Sequence, residues 1–330
     1  MTKALLFITI LGIFHSCVTS EDEVANCMVY KATTFCFNTT NISDPEARSS
    51  MQILRTSGVI KEDLFPKMYN VRAIEFVSNN LTEIEPRFFM KFPNLNRLII
   101  RGNDRFPNIT KELLKHCKKL VNLKIYFNLG LNHVDENILR NFQYLEKLVI
   151  RSERLTHLRK HDFQVAINLK TLKLDLTTLK KIDSNAFEPI GNLEKLSLMA
   201  NNYLKINLEI FDFIPKLKEL NLIYAEITEL DFLRKLPKLE ILLLAGNRIE
   251  SISADTFKGL KDLKKVDLAH THISHIDTSK QFFENVPKLE SIDITCHNLT
   301  NELFDIVKFD DHNITVLDKY AGIEDRILSC

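Results

Sequence analysis

Tryptophan is absent from this chain of 330 residues, glycine occurs only eight times, and neither charge sign is in excess: 44 lysines and arginines meet 43 aspartates and glutamates. The even balance argues against a generic nucleic-acid binder, which needs a clear basic surplus, so no nucleic-acid partner is expected. Long apolar runs are scarce too. Beyond Ala4 to Ile13 nothing is apolar enough for a membrane span or a lipid-anchor tail, and that first run is too short to cross a bilayer comfortably. Phosphate loops, nucleophile elbows and paired catalytic carboxylates do not stand out. With no convergent titratable groups, no enzyme activity is expected, and no cofactor.

The first twenty residues read as a leader. Lys3 precedes the apolar run, and Val18-Thr19-Ser20 offers short residues for cleavage before the acidic Glu21-Asp22-Glu23. Cleavage there removes Lys3 and leaves 43 charges of each sign, a net charge of zero. A secreted, extracellular product is expected. Six Asn-X-Ser/Thr sequons, at Asn38, Asn41, Asn80, Asn108, Asn298 and Asn313, agree with that route as glycosylation sites.

Between Val71 and Leu299 one phrase restarts ten times: an aliphatic residue, two more at +3 and +5, and at +8 most often Asn. Leu95, Leu98, Ile100 and Asn103 form one copy, Leu193, Leu196, Leu198 and Asn201 another, and Leu239, Leu242, Leu244 and Asn247 a third. Copies begin at Val71, Leu95, Leu120, Leu145, Leu169, Leu193, Leu217, Leu239, Leu263 and Leu289, a period of 22 to 26 residues. The +3 and +5 side chains share one face of a short strand and bury themselves, while Asn satisfies inner backbone groups. No copy can bury its apolar face alone, so stacked copies share one core and need sealed ends. The pattern is the leucine-rich repeat. It predicts an α/β solenoid, a curved horseshoe with a parallel concave sheet of about ten repeats. Residues 1–20 are the leader, 21–70 an N-terminal cap, 71–300 the repeats and 301–330 a C-terminal cap. No sequon falls in a strand segment, so glycans would leave most of the concave face bare.

Apolar residues also stand three and six positions before the repeat starts: Phe89 and Phe92, Phe187 and Ile190, Phe211 and Ile214, Phe257 and Leu260, Phe283 and Val286. This spacing predicts one or two helical turns with a buried stripe. The 22 phenylalanines therefore read mainly as a spine behind the strands.

Cysteine placement addresses the ends. Cys17 leaves with the leader, and Cys27, Cys36, Cys117, Cys296 and Cys330 remain, an odd number. A Cys27–Cys36 bridge would seal the first edge, and closing a ten-residue loop is worth about 2.7 kcal/mol on the chain-entropy model. A Cys296–Cys330 bridge would tie the tail over the other end, unless Cys330 pairs between chains. Cys117 is left over. Three before Leu120, it takes the place held elsewhere by Ile190 or Leu260, so it reads as a free, buried thiol, with an intermolecular bridge as the alternative.

Binding, on such a fold, belongs to the concave face, where residues at +2, +4, +6 and +7 point away from the core. Repeats two to six place Arg97, Ile99, Arg101, Asn122, Lys124, Tyr126, Phe127, Lys147, Val149, Arg151, Thr171, Lys173, Asp175, Lys195 and Met199 there, a basic block with apolar residues interleaved. Repeats seven and eight add the more apolar Ile223, Tyr224, Ile241, Leu243 and Ala245, and Lys265, Asp267 and Asp293 restore polarity. A contiguous apolar patch needs a reason, whereas a solvated strand face does not, and both readings stand at this point. The histidines of His270-Thr271-His272-Ile273-Ser274-His275 straddle a strand exit and need not converge, so no metal is expected.

Leader, Cys27/Cys36 cap, ten repeats and a Cys-bearing end together resemble extracellular leucine-rich-repeat proteins over about Cys27 to Cys330. The irregular repeats, Phe-rich backing and low glycine resemble the leucine-rich-repeat immune proteins of mosquitoes, in the short form without a coiled coil. The resemblance implies innate immunity in haemolymph, by pattern recognition or complement-like defence, with an extracellular protein or microbial-surface glycan as partner. A dimer or heteromer stays open. The alternative is an extracellular adhesion or receptor-antagonist protein with no immune role.

Overall fold

The computed structural model describes the backbone of residues 14–19, 23–30, 33–38, 50–62, 67–128, 136–151, 155–201, 204–277, 279–295, 309 and 312–317. Contacts divide the chain into two compact units, Met1–Leu145 and Glu146–Cys330. Each is built of leucine-rich-repeat coils.

In the first unit Phe14–Thr19, Glu23–Tyr30 and Thr33–Asn38 form an antiparallel run, whose last strand pairs with Ser50–Leu54. From there the sheet turns parallel through Ala73–Val77, Arg97–Arg101 and Asn122–Tyr126. In the second unit eight described strands of the main sheet run parallel: Lys147–Arg151, Thr171–Asp175, Lys195–Ser197, Glu219–Asn221, Ile241–Leu243, Lys265–Asp267, Ser291–Asp293 and Thr315–Leu317. Register follows the repeat phrase, with +2 facing +2 from Lys147↔Thr171 to Lys265↔Ser291. The coils extend past the ten read from sequence. Met51, Ile53 and Thr56 fill the +3, +5 and +8 places of a coil inside the segment expected to be cap, and Val316 stacks on Ile292 beyond residue 300. Both were missed because Arg48 and Asn313 stand where the phrase begins with an aliphatic residue.

The strand Phe14–Thr19 departs from the expectation that the first twenty residues lie outside the fold. An unpaired hairpin edge accepts a neighbouring extended segment, and here that is Phe14–Thr19. The hairpin register sets Cys27 opposite Cys36. Cys296 and Cys330, like Asn41 and Asn298, lie outside the described residues. Asn38 ends its strand and Asn80 begins Asn80–Ile84, a short strand away from the main sheet, so both sequons touch strands the phrase did not announce. Asn80, Asn108 and Asn313 are exposed.

Behind the strands the backing is mainly 3-10 rather than α-helical: Pro86–Lys91, Glu188–Ile190, Leu208–Phe213 and Asp231–Lys235 are 3-10 turns, and Lys280–Asn285 is a short α-helix. The cause lies in the spacing itself. Apolar residues at −6, −3 and 0 recur every three residues, which aligns them on a helix of three residues per turn. They form the expected spine: Phe89, Phe92, Phe187, Phe211, Phe257 and Phe283 are buried, and Phe211 stacks on Phe232 with centroids 4.6 Å apart. Cys117 is buried too, and burial pushes its thiol far above the usual range, so it is inert.

Candidate functional site

The strand exit builds the candidate site. At +7 the backbone turns left-handed in every described repeat: Ser78, Gly102, Phe127, Leu176, Ala200, Tyr224, Gly246 and His270 have φ between 52° and 69°. Only two are glycine, although a left-handed residue with a Cβ costs about 1–2 kcal/mol. A backbone bond to the next repeat holds the kink. The +7 N–H donates to the +6 carbonyl of the next repeat, as from Leu176 to Met199 and Tyr224 to Ala245, both 2.9 Å. The turn also sends the +8 side chain inward. Asn247 Oδ1 accepts from the N–H groups of Ala225 and Ile227, while its Nδ2 donates to the carbonyls of Leu222 and Leu244. In the first unit Asn79, Asn103 and Asn128 bond to one another in a buried ladder.

The same kink pushes the +7 side chain outward. Phe127, Leu176 and Tyr224 are 49%, 43% and 53% exposed, the large apolar residues among them held where solvent or a partner must meet them. Phe127 stands edge-on to Tyr126 at 5.7 Å. Tyr224 lies over Gly246, where a Cβ would fall 2.2 Å from its Cε1 atom. Ile223, Ile241 and Leu243 flank it half-buried, and Ile99 is half-buried in the first unit. Val149, Asp175 and Ala245 are exceptions among the residues expected on the open face, all three being buried; the register sets Val149 beside Lys173, whose long stem can shield a short β-branched side chain.

The basic block is largely neutralised within the sheet. Arg101 Nε donates to Glu75 at 2.5 Å, which holds the guanidinium above its ordinary pKa, and Gln52 braces the same carboxylate. Arg151 pairs with Asp175 at 3.5 Å, and Glu219 receives both Lys195 at 2.6 Å and Lys173 at 3.6 Å. Glu219 is partly desolvated, but the two lysines hold its carboxyl below the usual range. Arg97 and Lys124 form no ion pair among the described residues, whereas Lys147 has a partner. The expected basic surface is thus reduced to a few cations. Glu75 and Glu219 lie in repeats one and seven, outside the block read for charge, and the +4 and +2 spacing would have found them.

His270, His272 and His275 are exposed, and no group of three potential metal ligands occurs among the described residues. Nor is any described helix long and apolar enough to cross a membrane.

Residues 143–202, 191–249 and 237–299 match the leucine rich repeat family, and residues 31–170 match the BspA type leucine rich repeat region. The CD180 antigen of Mus musculus is 31% identical over 196 residues, covering 56% of this chain and 29% of its own length. Toll-like receptor 3 of Homo sapiens is 25% identical over 227 residues, 65% of this chain and 24% of the receptor. The chain thus spans about a quarter of the curated relatives it matches. Among solved structures, a complex of TLR13 with ssRNA13 aligns at TM-score 0.65 and 25% identity, over 83% of this chain and 40% of that one. A Drosophila Toll in complex with Spatzle aligns at 0.58 and 14% identity, over 89% of this chain and 47% of that one, and shares the fold.

Proposed function

We propose, from the premise that this chain is a leucine-rich-repeat protein related to Toll-like receptors and CD180, that it is a secreted recognition protein of innate immunity. Its strand face binds a protein or a microbial-surface glycan. The observation that carries this reading is the repeated placement of exposed apolar residues, Phe127, Leu176 and Tyr224, on a left-handed kink held by buried hydrogen bonds. Rigid aromatic anchors beside charged neighbours are what binding hot spots use. The leader, sequons and a Cys27–Cys36 bridge complete the reading, as does its likeness to the short mosquito immune proteins. The TLR13 structure holds RNA, but this chain carries a formal charge of only +1. Single-stranded RNA is therefore a control expected to bind weakly at physiological salt.

Secreted full-length protein should be incubated with whole bacteria and yeast cells and with extracellular proteins released on challenge. Retention should fall about tenfold or more on replacing Phe127 and Tyr224 together by Ser, and survive Lys111→Glu away from the strand face. Equal loss from both variants would end the strand-face reading. Expression induced by microbial challenge supports the immune role, whereas constant expression with binding to host tissue alone would favour adhesion or receptor antagonism.

A further inference from the structure

Five carboxylates stand at +2, +4 or +6 on the described strands of the repeats: Glu75, Asp175, Glu219, Asp267 and Asp293. The first three each meet an arginine or lysine of the chain. Asp267 and Asp293 break the rule. They are register partners on neighbouring strands, and neither has a cation within ion-pair distance among the described residues. Each uses Oδ1 to accept the N–H two residues on, from Ala269 at 3.1 Å and Thr295 at 3.0 Å. Neutral Asn221 performs the same task for Ile223 at 3.0 Å. Capping therefore explains a side chain of this shape, not two adjacent negative charges, which repel.

The neighbouring surface toward the chain's N-terminus is apolar. Leu243 is the register partner of Asp267, Ile241 of Lys265, and Tyr224 lies seated over Gly246 beside Ile223. An apolar and aromatic stretch of the sheet face thus runs into two carboxylates that have no ion-pair partner among the described residues, Lys265 and His270 acting on Asp267 only from farther away. We propose that this face of repeats seven to ten docks a protein segment in which Arg or Lys stands beside an aliphatic or aromatic residue, the apolar group on Leu243 and Tyr224 and the cation between Asp267 and Asp293. The inference rests on the strand face being the binding surface. A guanidinium suits the pair because its planar fork donates to two acceptors at once, and its charge removes the repulsion between them.

Phage-displayed random dodecapeptides should be panned on the full chain, and the selected peptides synthesised and titrated against it and against two variants. Asp267→Asn with Asp293→Asn keeps both caps, as Asn221 does, and Tyr224→Ser removes the platform. Enriched peptides should carry Arg or Lys within two residues of an apolar side chain, and each variant should weaken them about tenfold. Peptides without a cation, peptides indifferent to the Asn pair, or no enrichment at all would overturn the proposal, as would self-association of the full chain that the Asn pair abolishes. Microbial or protein binding that falls with Phe127 and Tyr224 but not with the Asn pair would overturn this inference and leave the strand-face reading standing.

Discussion

A side chain at +8 does more for this protein than its size suggests. Asn247, itself buried, satisfies two N–H groups and two carbonyls. Asn247→Ala should cost about 3–5 kcal/mol, read as a shift of the urea midpoint, because each orphaned buried group forfeits about 1–3 kcal/mol. Asn247→Thr should lose roughly half as much, since Thr271 in the same place still donates to the Leu268 carbonyl. Asp267 offers a second residue-scale test. Burial first, with the Asp293 charge adding, holds its carboxyl above the usual range against the Ala269 N–H. A carboxylate raised on folding destabilises the fold above its folded pKa, and the cost fades as pH falls through that value and is gone below the unfolded one. Asp267→Asn should therefore raise the denaturation midpoint near pH 7 and lose that advantage near about pH 3, below the ordinary aspartate pKa. A gain unchanged at low pH would contradict the charge argument.

Elements here are coils, and each depends on its neighbours. Phe211 is fully buried in Leu208–Phe213 and stacks at an interplanar angle of 21° on Phe232 of Asp231–Lys235 in the next coil. Phe211→Ala should cost about 3–5 kcal/mol. Because coil stability is a sum of nearest-neighbour terms, hydrogen exchange should quicken most in the strands Lys195–Ser197, Glu219–Asn221 and Ile241–Leu243. Uniform acceleration throughout the second unit would instead mean that it opens as one cooperative block. One element-scale feature lay outside the sequence reading. At +1, Glu146, Lys170, Glu194, Lys218, Glu240, Lys264 and Glu290 alternate in sign along the sheet rim, with pairs at 3.2, 3.0 and 2.7 Å. Exposed pairs of this kind contribute at most about 1 kcal/mol each, so the ladder favours register more than stability.

For the molecule as a binding partner, charge balance sets the expectation. With Arg101, Arg151, Lys173 and Lys195 met by carboxylates, long-range attraction of anionic ligands falls to cations such as Arg97 and Lys124. Lys124→Glu should slow association with an anionic microbial surface several-fold at low salt and flatten its dependence on ionic strength, because screening acts over about 8 Å at physiological salt. Lys111→Glu, away from the strand face, should leave that slope intact. An equal change from both substitutions would assign the effect to net charge instead of to the face.

The repeat phrase by itself determined the coil, the +2 register, the inward Asn, the phenylalanine spine and the burial of Cys117, because each depends only on a period and on which side of a strand a residue faces. Placing most of the candidate residues on the open face follows from the same alternation. Tertiary structure decided what alternation cannot express. Coils beginning with Arg48 and Asn313 join the stack because neighbouring strands supply the register that their own first residues do not announce. Val149 is buried by what lies beside it. The basic block loses most of its charge because Glu75, Asp175 and Glu219, distant in sequence from their partners, arrive one or two strands away. Asp267 and Asp293 have no ion-pair partner among the described residues for the same reason in reverse: in a parallel sheet the neighbour of a charge is chosen by the next coil, and there Asp267 meets another carboxylate.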